Sequence, residues 1–329
     1  MTASAAPAPP RTLTVLFIGG MGRSGSTLLH RLLGEQPGFA AVGELGLLWQ
    51  SGLSENRLCG CGARFRECGF WQAVGDAAFG GFDALPASTL AALRRFWAHR
   101  RRFAARLLLP LGMRSRTALT EYAHHLGRLL HGVQQVSGCE VIVDASKTPA
   151  HLAALLAIRS VEVHVVHLVR DSRAVVYSWQ QRRRRLDAPD REEYFAPVPA
   201  WQTGLQWMAI NAVLSRLRGA ARSARVVRYE DFAAAPAALI EQICTQTGRR
   251  FDGAAVSAPG PGIQHTVAGN PVRLQPRPVV VKPDREWMER MSAASRWVVT
   301  ACTWPGLVAY HYAMHPTVEA SPPDLPEST

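Results

Sequence analysis

The segment LTVLFIGGMGRSGSTLLHRLL, residues 13–33, joins an apolar run to a glycine-rich turn and then to a helical pattern of apolar residues. This order is typical of a phosphate-binding loop, in which backbone N–H groups at a helix N-terminus hold an anion. In the pattern G-x-x-x-x-G-K-[ST] of nucleotide hydrolases, Gly20, Gly25 and Thr27 fit, but Ser26 stands at the lysine position. Arg23 lies inside the loop, and its planar guanidinium suits a pair of phosphate or sulfonate oxygens. The loop is therefore predicted to hold an anion without the lysine that contacts the β- and γ-phosphates of a triphosphate.

The elements around this loop indicate an α/β fold. Short apolar runs are predicted strands: residues 13–18, the segment CEVIVDASK ending at Asp144, the segment VEVHVVHLVRD ending at Arg170, and the segment ARVVRYEDF. Helical patterns separate them, which favours a P-loop-type parallel β-sheet flanked by helices on both faces, with a mainly helical insertion on the acceptor side over about residues 86–136. Because ligands of such sheets gather at the carboxyl ends of the strands, the phosphate-binding loop, Asp144–Lys147, Arg170 and Tyr229 are predicted to share one edge.

Three predictions of element boundaries bear on that edge. A helix is predicted from about Ser172 into the arginine run Arg182–Arg185, and a last helix over Trp287–Ala301. Proline and glycine dominate from Pro259 to Pro283, which predicts an irregular loop there.

The composition is that of a globular protein with a basic surface. The chain has 329 residues, of which 47% are apolar and 19% charged, with a formal net charge of +12. Such a charge favours an anionic partner, either nucleic acid or a multiply phosphorylated small molecule. No apolar run reaches the roughly 18 residues of a membrane span, so no integral membrane segment is expected. Without a recognisable secretory signal and with only six cysteines, a cytoplasmic location is the default.

The domain organisation follows from composition and pattern. Residues 1–11 and 316–329 are predicted to be a disordered lead and tail, and residues 12–315 a single domain. The oligomeric state is left open.

Four motifs together resemble the sulfotransferases that use 3′-phosphoadenosine 5′-phosphosulfate (PAPS). GRSGSTLL resembles their 5′-phosphosulfate loop and is closest to that of the carbohydrate and tyrosylprotein branches. The chain as a whole resembles a bacterial type of these enzymes. HLVRDSRAVVYSW resembles their 3′-phosphate site, with an arginine at a strand end and a serine eight residues later. RYEDF resembles the strand-end element near the adenine, and HTVAGNPVR, residues 265–273, the late loop that closes over the 3′-phosphate.

The resemblance implies roles for particular residues. PAPS would be held by Gly22, Arg23, Ser24, Gly25, Ser26 and Thr27 at its 5′ end. Arg170, Ser178, Tyr229, Gly269 and Arg273 would hold the rest of the nucleotide. Glu44, 21 residues after Arg23 and at the end of a second short strand predicted over Phe39–Val42, would be the general base, while Arg23 and Lys147 would stabilise charge on the transferring group. No obligatory metal is implied, and the acceptor would be a hydroxyl of a sugar, peptide, phenol, lipid or natural product.

Two other functions stay open at this stage. Asp144 follows four apolar residues and mimics the magnesium-binding aspartate of a P-loop kinase, although the missing lysine speaks against ATP. A basic nucleic-acid-binding protein with a decayed loop is the second alternative, but no known binding motif supports it, so nucleic acid is not an expected partner. If Glu44 were not the base, His124, His125 and His131 would be the next candidates.

Two further patterns have ordinary interpretations. The arginine run Arg182–Arg185 is more typical of a solvated face than of a site, the functional alternative being a basic rim that attracts the cofactor. Cys59, Cys61 and Cys68 lie close together in LCGCGARFRECGFW, but a zinc site needs four ligands and the sequence offers no clear fourth. The expectation is therefore a packed or redox-sensitive loop without stoichiometric zinc.

Overall fold

Five parallel strands form the central sheet in the computed structural model, which describes residues 13–99, 113–257, 263–274 and 281–315. The strands are β1 (Leu13–Gly19), β2 (Phe39–Gly43), β3 (Val141–Lys147), β4 (Val161–Val169) and β7 (Ser223–Arg228), in the order β2-β3-β1-β4-β7. Their carboxyl ends therefore lie at one edge, as predicted. The short strands β5 (Arg183–Arg184) and β6 (Tyr194–Phe195) form a separate antiparallel pair.

Alternating residues of the inner strands feed two different cores. In β1, Val15 and Phe17 belong to the larger apolar cluster, which also contains the insertion helices, while Leu16 and Ile18 belong to a second cluster. Since successive strand residues point to opposite faces, both faces of the sheet are covered. This explains why β1 is a nearly continuous apolar run without polar alternation, and it confirms the predicted fold class.

The helices pack on both faces and at the carboxyl edge. The α-helices are Ser26–Gly34, Gly69–Phe79, Ala87–Ala98, Met113–Ser137, Pro149–Leu156, Ser172–Gln180, Ala200–Leu217, Tyr229–Ala234, Pro236–Gln246, Gly253–Ser257, Glu286–Arg290 and Ala293–Ala309. Single turns of tighter or wider helix are Leu45–Leu47, Leu48–Ser54, Phe65–Glu67, Phe82–Ala84, Arg218–Ala220 and Pro271–Leu274. Ala87–Ala98 and Met113–Ser137 fall in the region predicted to be a helical insertion.

Three predicted boundaries differ from the structure. Strand β3 runs three residues past Asp144 to Lys147, with an irregular register beside the end of β1. The helix that begins at Ser172 ends at Gln180, because Arg183 and Arg184 pair with β6 instead of continuing it. The predicted last helix is two helices, since Ser292 starts a new one by accepting a hydrogen bond from Ser295 N at 3.2 Å.

Part of the predicted organisation lies outside the described residues. The proposed lead (1–11), the tail (316–329), and residues 100–112 within the insertion are in this category. Parts of the irregular loop predicted over residues 259–283 are also not described; residues 263–274 contain a bridge and one helical turn. No helix among the described residues is both long and apolar enough to cross a membrane.

Candidate functional site

A cleft of about 560 Å³ opens at the carboxyl edge of the sheet. This size is in the usual range for a cofactor or small-molecule site. Of the residues predicted to bind or react, those that line it are Gly22, Arg23, Gly25, Ser26, Thr27, Glu44, Lys147, Arg170, Ser178, Tyr229 and Gly269. Residues spread over almost the whole chain thus meet in one cavity.

The phosphate loop, residues Gly20–Thr27, presents an uncapped helix N-terminus to this cleft. Gly25 is the N-cap of the helix Ser26–Gly34, without a side-chain cap and with no acidic residue in the first turn. Its φ of 89° is left-handed, and a Cβ there would lie 2.4 Å from Tyr229 Cδ2, so only glycine fits. The first N–H groups of a helix lack intrahelical partners, which leaves them available to an anion.

Arg23 brings a positive charge into the loop, although both its backbone conformation and the burial of its side chain are unfavourable. Its own φ is 76°, a region that residues other than glycine rarely adopt. The guanidinium lies over two aromatic rings, 5.3 Å from the centroid of Trp179 and 5.0 Å from that of Phe195. Burial and the charge of Arg183 lower the pKa of Arg23 to about 10, while Glu44 opposes them. Arg23 stays protonated at neutral pH, and a bound anion would offset the repulsion.

Glu44 and Lys147 form an ion pair at the mouth of the loop. Lys147 Nζ donates to Glu44 Oε1, and their side chains are 13% and 14% exposed. Backbone contacts hold both residues: Gly20 N donates to Lys147 O at 3.2 Å, and Glu44 N donates to Val267 O at 2.8 Å. Lys147 has a φ of 64°, which turns the chain at the end of β3. The sequence placed both residues at strand ends but did not indicate that they pair.

Arg170 occupies another part of the cleft wall. Its Nη1 donates to Arg23 O at 3.1 Å, its Nη2 lies 2.8 Å from Asp284 Oδ2, and its guanidinium is 4.6 Å from the Tyr229 ring centroid. Arg170 is buried and Ser178, on the following helix, is buried with it. Asp284, the counter-ion of Arg170, is half-exposed.

Comparison with known proteins agrees with this geometry. Residues 16–253, more than two thirds of the chain, match the model of the family described as "Sulfotransferase family". The chain belongs to the sulfotransferase family. Its fold is similar to the sulfotransferase domain of the Synechococcus PCC 7002 olefin synthase, at 20% identity and a TM-score of 0.52, over 93% of this chain and 98% of that one. A sulfotransferase domain from the curacin biosynthetic pathway matches at 16% identity and a TM-score of 0.48, over 92% and 99%. No curated protein matches its sequence significantly.

Two expected cofactor residues of this sulfotransferase take other places. Ser24 is buried at 1% exposure, its hydroxyl has no hydrogen-bond partner among the described residues, and it does not line the cleft. Arg273 is also buried and outside the cleft lining, because its guanidinium donates to Thr266 O at 3.0 Å and to Leu58 O at 2.8 Å. Arg273 therefore joins the late loop (residues His265–Arg273) to the cysteine loop around Leu58, and it is not among the residues that line the cleft.

Asp144 is part of a buried network and not of the cleft. It is fully buried, accepts from Ser146 N at 2.9 Å, and lies 2.6 Å from His151 Nε2. Burial alone would raise the pKa of Asp144, but the contacts with His151 and Ser146 outweigh burial and lower this pKa. Ser146 in turn accepts from Gly46 N at 3.0 Å, which fixes the turn after Glu44. Asp144 thus supports the site from behind.

Several lining residues had no signal strong enough to find them in the sequence. Trp179 donates from its indole to Gly22 O at 3.1 Å and so holds the phosphate loop. Arg183 and Arg185, from the run interpreted as a solvated face, line the cleft together with Phe195. The pairing of β5 with β6 places this run at the edge of the cleft, although Arg183 remains exposed, and only the charge density of the run hinted at this. The alternative bases His124, His125 and His131 are not among the lining residues.

Proposed function

We propose that this sulfotransferase transfers the sulfuryl group of PAPS to a hydroxyl of an acceptor. The observation that carries the proposal is the Glu44–Lys147 ion pair next to Arg23, in the same cleft as Arg170 and Ser178. A carboxylate, two cations near it and a third cation elsewhere in the cavity are the groups that proton removal and binding of a polyanionic donor require.

The residues present fit the donor. The uncapped helix N-terminus and Arg23 suit the 5′-phosphosulfate, and Arg170 with Ser178 suits the 3′-phosphate. Tyr229 offers a ring beside both groups, close to Gly25 and under Arg170. PAPS supplies a sulfuryl group on a phosphate leaving group, and the protein supplies the charges around it.

Glu44 and Lys147 divide the chemistry between them. An alkyl or sugar hydroxyl is barely acidic, so its proton must leave as the new O–S bond forms, and Glu44 is the carboxylate that accepts it. Lys147 and Arg23 stabilise negative charge on the transferring group and on the departing phosphate oxygen. Because Lys147 pairs with Glu44, both groups are preorganised in one contact.

The buried position of Asp144 counts against a P-loop kinase. A magnesium ligand must reach the nucleotide, whereas Asp144 is fully buried and saturated by Ser146 and His151. The loop also carries Ser26 at the position of the kinase lysine. An obligatory divalent metal is therefore not part of the proposed reaction.

The acceptor class and the compartment are broader proposals. The acceptor is a hydroxyl of a sugar, peptide, phenol, lipid or natural product, and not nucleic acid. The cytoplasm is the proposed compartment, which agrees with six cysteines that are all free.

The donor is tested by ligand-dependent melting. Adenosine 3′,5′-bisphosphate, the product of PAPS, should raise the melting temperature by mass action, and AMP should do so far less. ATP with magnesium should behave like AMP. Equal stabilisation by the bisphosphate and AMP would contradict a 3′-phosphate site, and turnover of labelled PAPS against a pooled acceptor library then identifies the acceptor.

A further inference from the structure

The fourth ligand that the sequence did not offer is present in the structure. Cys59, Cys61, Cys68 and His265 each bring one ligand atom to the same place, and these four atoms all lie within 4.8 Å of one another. His265 is 197 residues from Cys68 in sequence. We propose that this cysteine–histidine cluster is a structural zinc site.

The distances within the cluster suit a tetrahedral metal. Cys61 Sγ lies 3.7 Å from Cys68 Sγ, and His265 Nδ1 lies 3.2 Å from Cys68 Sγ and 4.0 Å from Cys59 Sγ. A tetrahedral zinc with Zn–S bonds of about 2.3 Å and a Zn–N bond of about 2.1 Å separates two sulfurs by about 3.8 Å and sulfur from nitrogen by about 3.6 Å. Three thiolates and one imidazole without an open position are a typical structural zinc ligand set.

A disulfide is a poorer explanation of the same contacts. The Cys61–Cys68 sulfur distance of 3.7 Å is far from the roughly 2.05 Å of a disulfide bond, and all three cysteines are free. Three thiols also cannot all pair with one another. Cys59 and Cys68 are fully buried, so reaction with solvent oxidants does not explain their arrangement.

The backbone around the ligands is organised to hold them. Cys59 N donates to Ala63 O at 2.8 Å, and Gly62 N returns to Cys59 O at 2.9 Å, which forms a tight turn between the first two thiols. The ring of Phe70 stacks on His265 with centroids 4.7 Å apart and planes 10° apart. That contact sets the orientation of the imidazole.

The cysteine loop and the late loop touch through backbone at Gly60. Gly60 N donates to Thr266 O at 3.0 Å. A Cβ at Gly60 would lie 2.3 Å from both the Gln264 carbonyl oxygen and Thr266 Oγ1, so a side chain there would push the two loops apart. The cysteine loop and the late loop therefore lie close enough for Cys59 and His265 to bind the same metal ion.

Zinc in the cluster would fix the late loop next to the reacting groups. Two residues after His265, Val267 N donates to Val42 O at 2.9 Å, and Val267 O accepts from Glu44 N at 2.8 Å. Ala268 and Gly269 then line the cleft. The assignment of the metal is independent of the proposed function. Only the statement that zinc helps to position Glu44 rests on the proposed function.

Metal analysis of the purified full-length chain tests the proposal. Protein produced with zinc in the medium and kept reduced should contain one zinc per chain. A strong chelator should remove it and lower the melting temperature, and added zinc should restore both. Co²⁺ in exchange for zinc should give the intense visible bands of a tetrahedral thiolate site. Iron in place of zinc, or sub-stoichiometric zinc without tetrahedral cobalt binding, would overturn the assignment.

Variants locate the metal. Cys61→Ser should weaken zinc binding by more than the roughly 100-fold that loss of an outer partner costs, and Cys302→Ser, which changes a free cysteine in the helix Ala293–Ala309, should not. His265→Ala should lose zinc and His265→Cys should regain it, which a purely structural histidine contact would not predict. Full zinc content in both Cys61→Ser and His265→Ala would place the metal elsewhere. If a variant does not fold, the wild-type chelation and cobalt measurements still decide.

The experiment separates this proposal from the proposed function. Stabilisation by adenosine 3′,5′-bisphosphate is measured on the same zinc-loaded protein. A chain that contains zinc but does not distinguish the bisphosphate from AMP contradicts the cofactor assignment alone. A chain that distinguishes them but binds no zinc contradicts the metal site alone.

Discussion

The phosphate loop and the late loop border the same cleft but are built in different ways. The phosphate loop is a contiguous segment whose glycines, Arg23 and helix N-terminus would supply the binding groups themselves in the proposed function. The late loop has one short helical turn among its described residues and is held by contacts with other segments, namely the bridge of Val267 to Gly43 and the hydrogen bond from Arg273 to Leu58 O. In the proposed function the first region would contribute chemical groups, and the second would position them. Glu44 lies where they meet, because its charge interacts with Arg23 of the first region and its N–H donates to Val267 O of the second.

The largest expected effect is on turnover at this meeting point. Glu44→Gln should reduce turnover about 10²–10⁴-fold, the usual value of a general base, while binding of adenosine 3′,5′-bisphosphate stays unchanged. The loss of turnover should be larger with an alkyl alcohol as acceptor than with a phenol, because the phenolic proton is more acidic. Steady-state kinetics with PAPS checks this, with Glu55→Gln as a control carboxylate of the same cleft. Full turnover of Glu44→Gln on an alkyl acceptor would mean that the base is another group.

The next effect concerns the cation beside the phosphate loop. Arg170→Ala should weaken binding of the bisphosphate about 10- to 100-fold, since a hydrogen bond to a charged group contributes roughly 1.5–3 kcal/mol, and should leave AMP binding nearly unchanged. Asp284→Asn removes the counter-ion at 2.8 Å from Arg170 and should keep or strengthen the preference for the bisphosphate. Calorimetric titration measures both. A preference that survives Arg170→Ala would place the 3′-phosphate elsewhere.

Arg273 is the corresponding test for the late loop. Because its guanidinium bonds two backbone carbonyls inside the protein, Arg273→Gln should lower the free energy of unfolding by roughly 1.5–3 kcal/mol. The ratio of bisphosphate to AMP affinity should stay the same. Denaturant unfolding gives the first quantity and titration the second, with the exposed Arg250→Gln as control. If Arg273→Gln abolished the preference for the bisphosphate over AMP without lowering the free energy of unfolding, Arg273 would be a residue of the cofactor site after all.

The smallest effect links the helix of the phosphate loop to Glu44. His30 accepts a hydrogen bond from Gly43 N at 2.8 Å, and burial lowers the pKa of His30 to about 4. Since the unfolded chain has the higher histidine pKa, the stabilisation is complete above about pH 6.5 and is lost as the pH falls from there towards 4. Relative to pH 8, about 0.8 kcal/mol should be gone by pH 6.

The comparison of two variants isolates this histidine from other titrating groups. Stability curves between pH 8 and pH 5 should be less steep for His30→Gln than for the wild type, and unchanged for His124→Asn, which alters an exposed histidine. Parallel curves for the wild type and His30→Gln would show that His30 does not titrate as described.

Sequence and structure agree best where function is encoded by neighbours in the chain. The helical pattern predicted after the glycine-rich turn is the observed helix Ser26–Gly34, and β1 ends one residue after its prediction. Apolar period and glycine placement determine such elements locally. The end of β3 and the hairpin at Arg183–Arg184 differ from the predicted boundaries. There, pairing with a segment distant in the chain decides where a strand or helix ends.

By itself, the sequence determined the parallel α/β fold, the glycine-rich loop that contains Arg23 and has Ser26 at the usual lysine position, and the strand-end placement of Glu44, Lys147, Arg170 and Tyr229. These features depend on short-range patterns and on the rule that ligands gather at strand ends. Only the tertiary structure decided that Glu44 pairs with Lys147, that Arg273 turns into the protein, and that His265 meets three thiols some 200 residues earlier. Such contacts join segments far apart in the chain, and their geometry is set by packing, about which residue spacing carries no information.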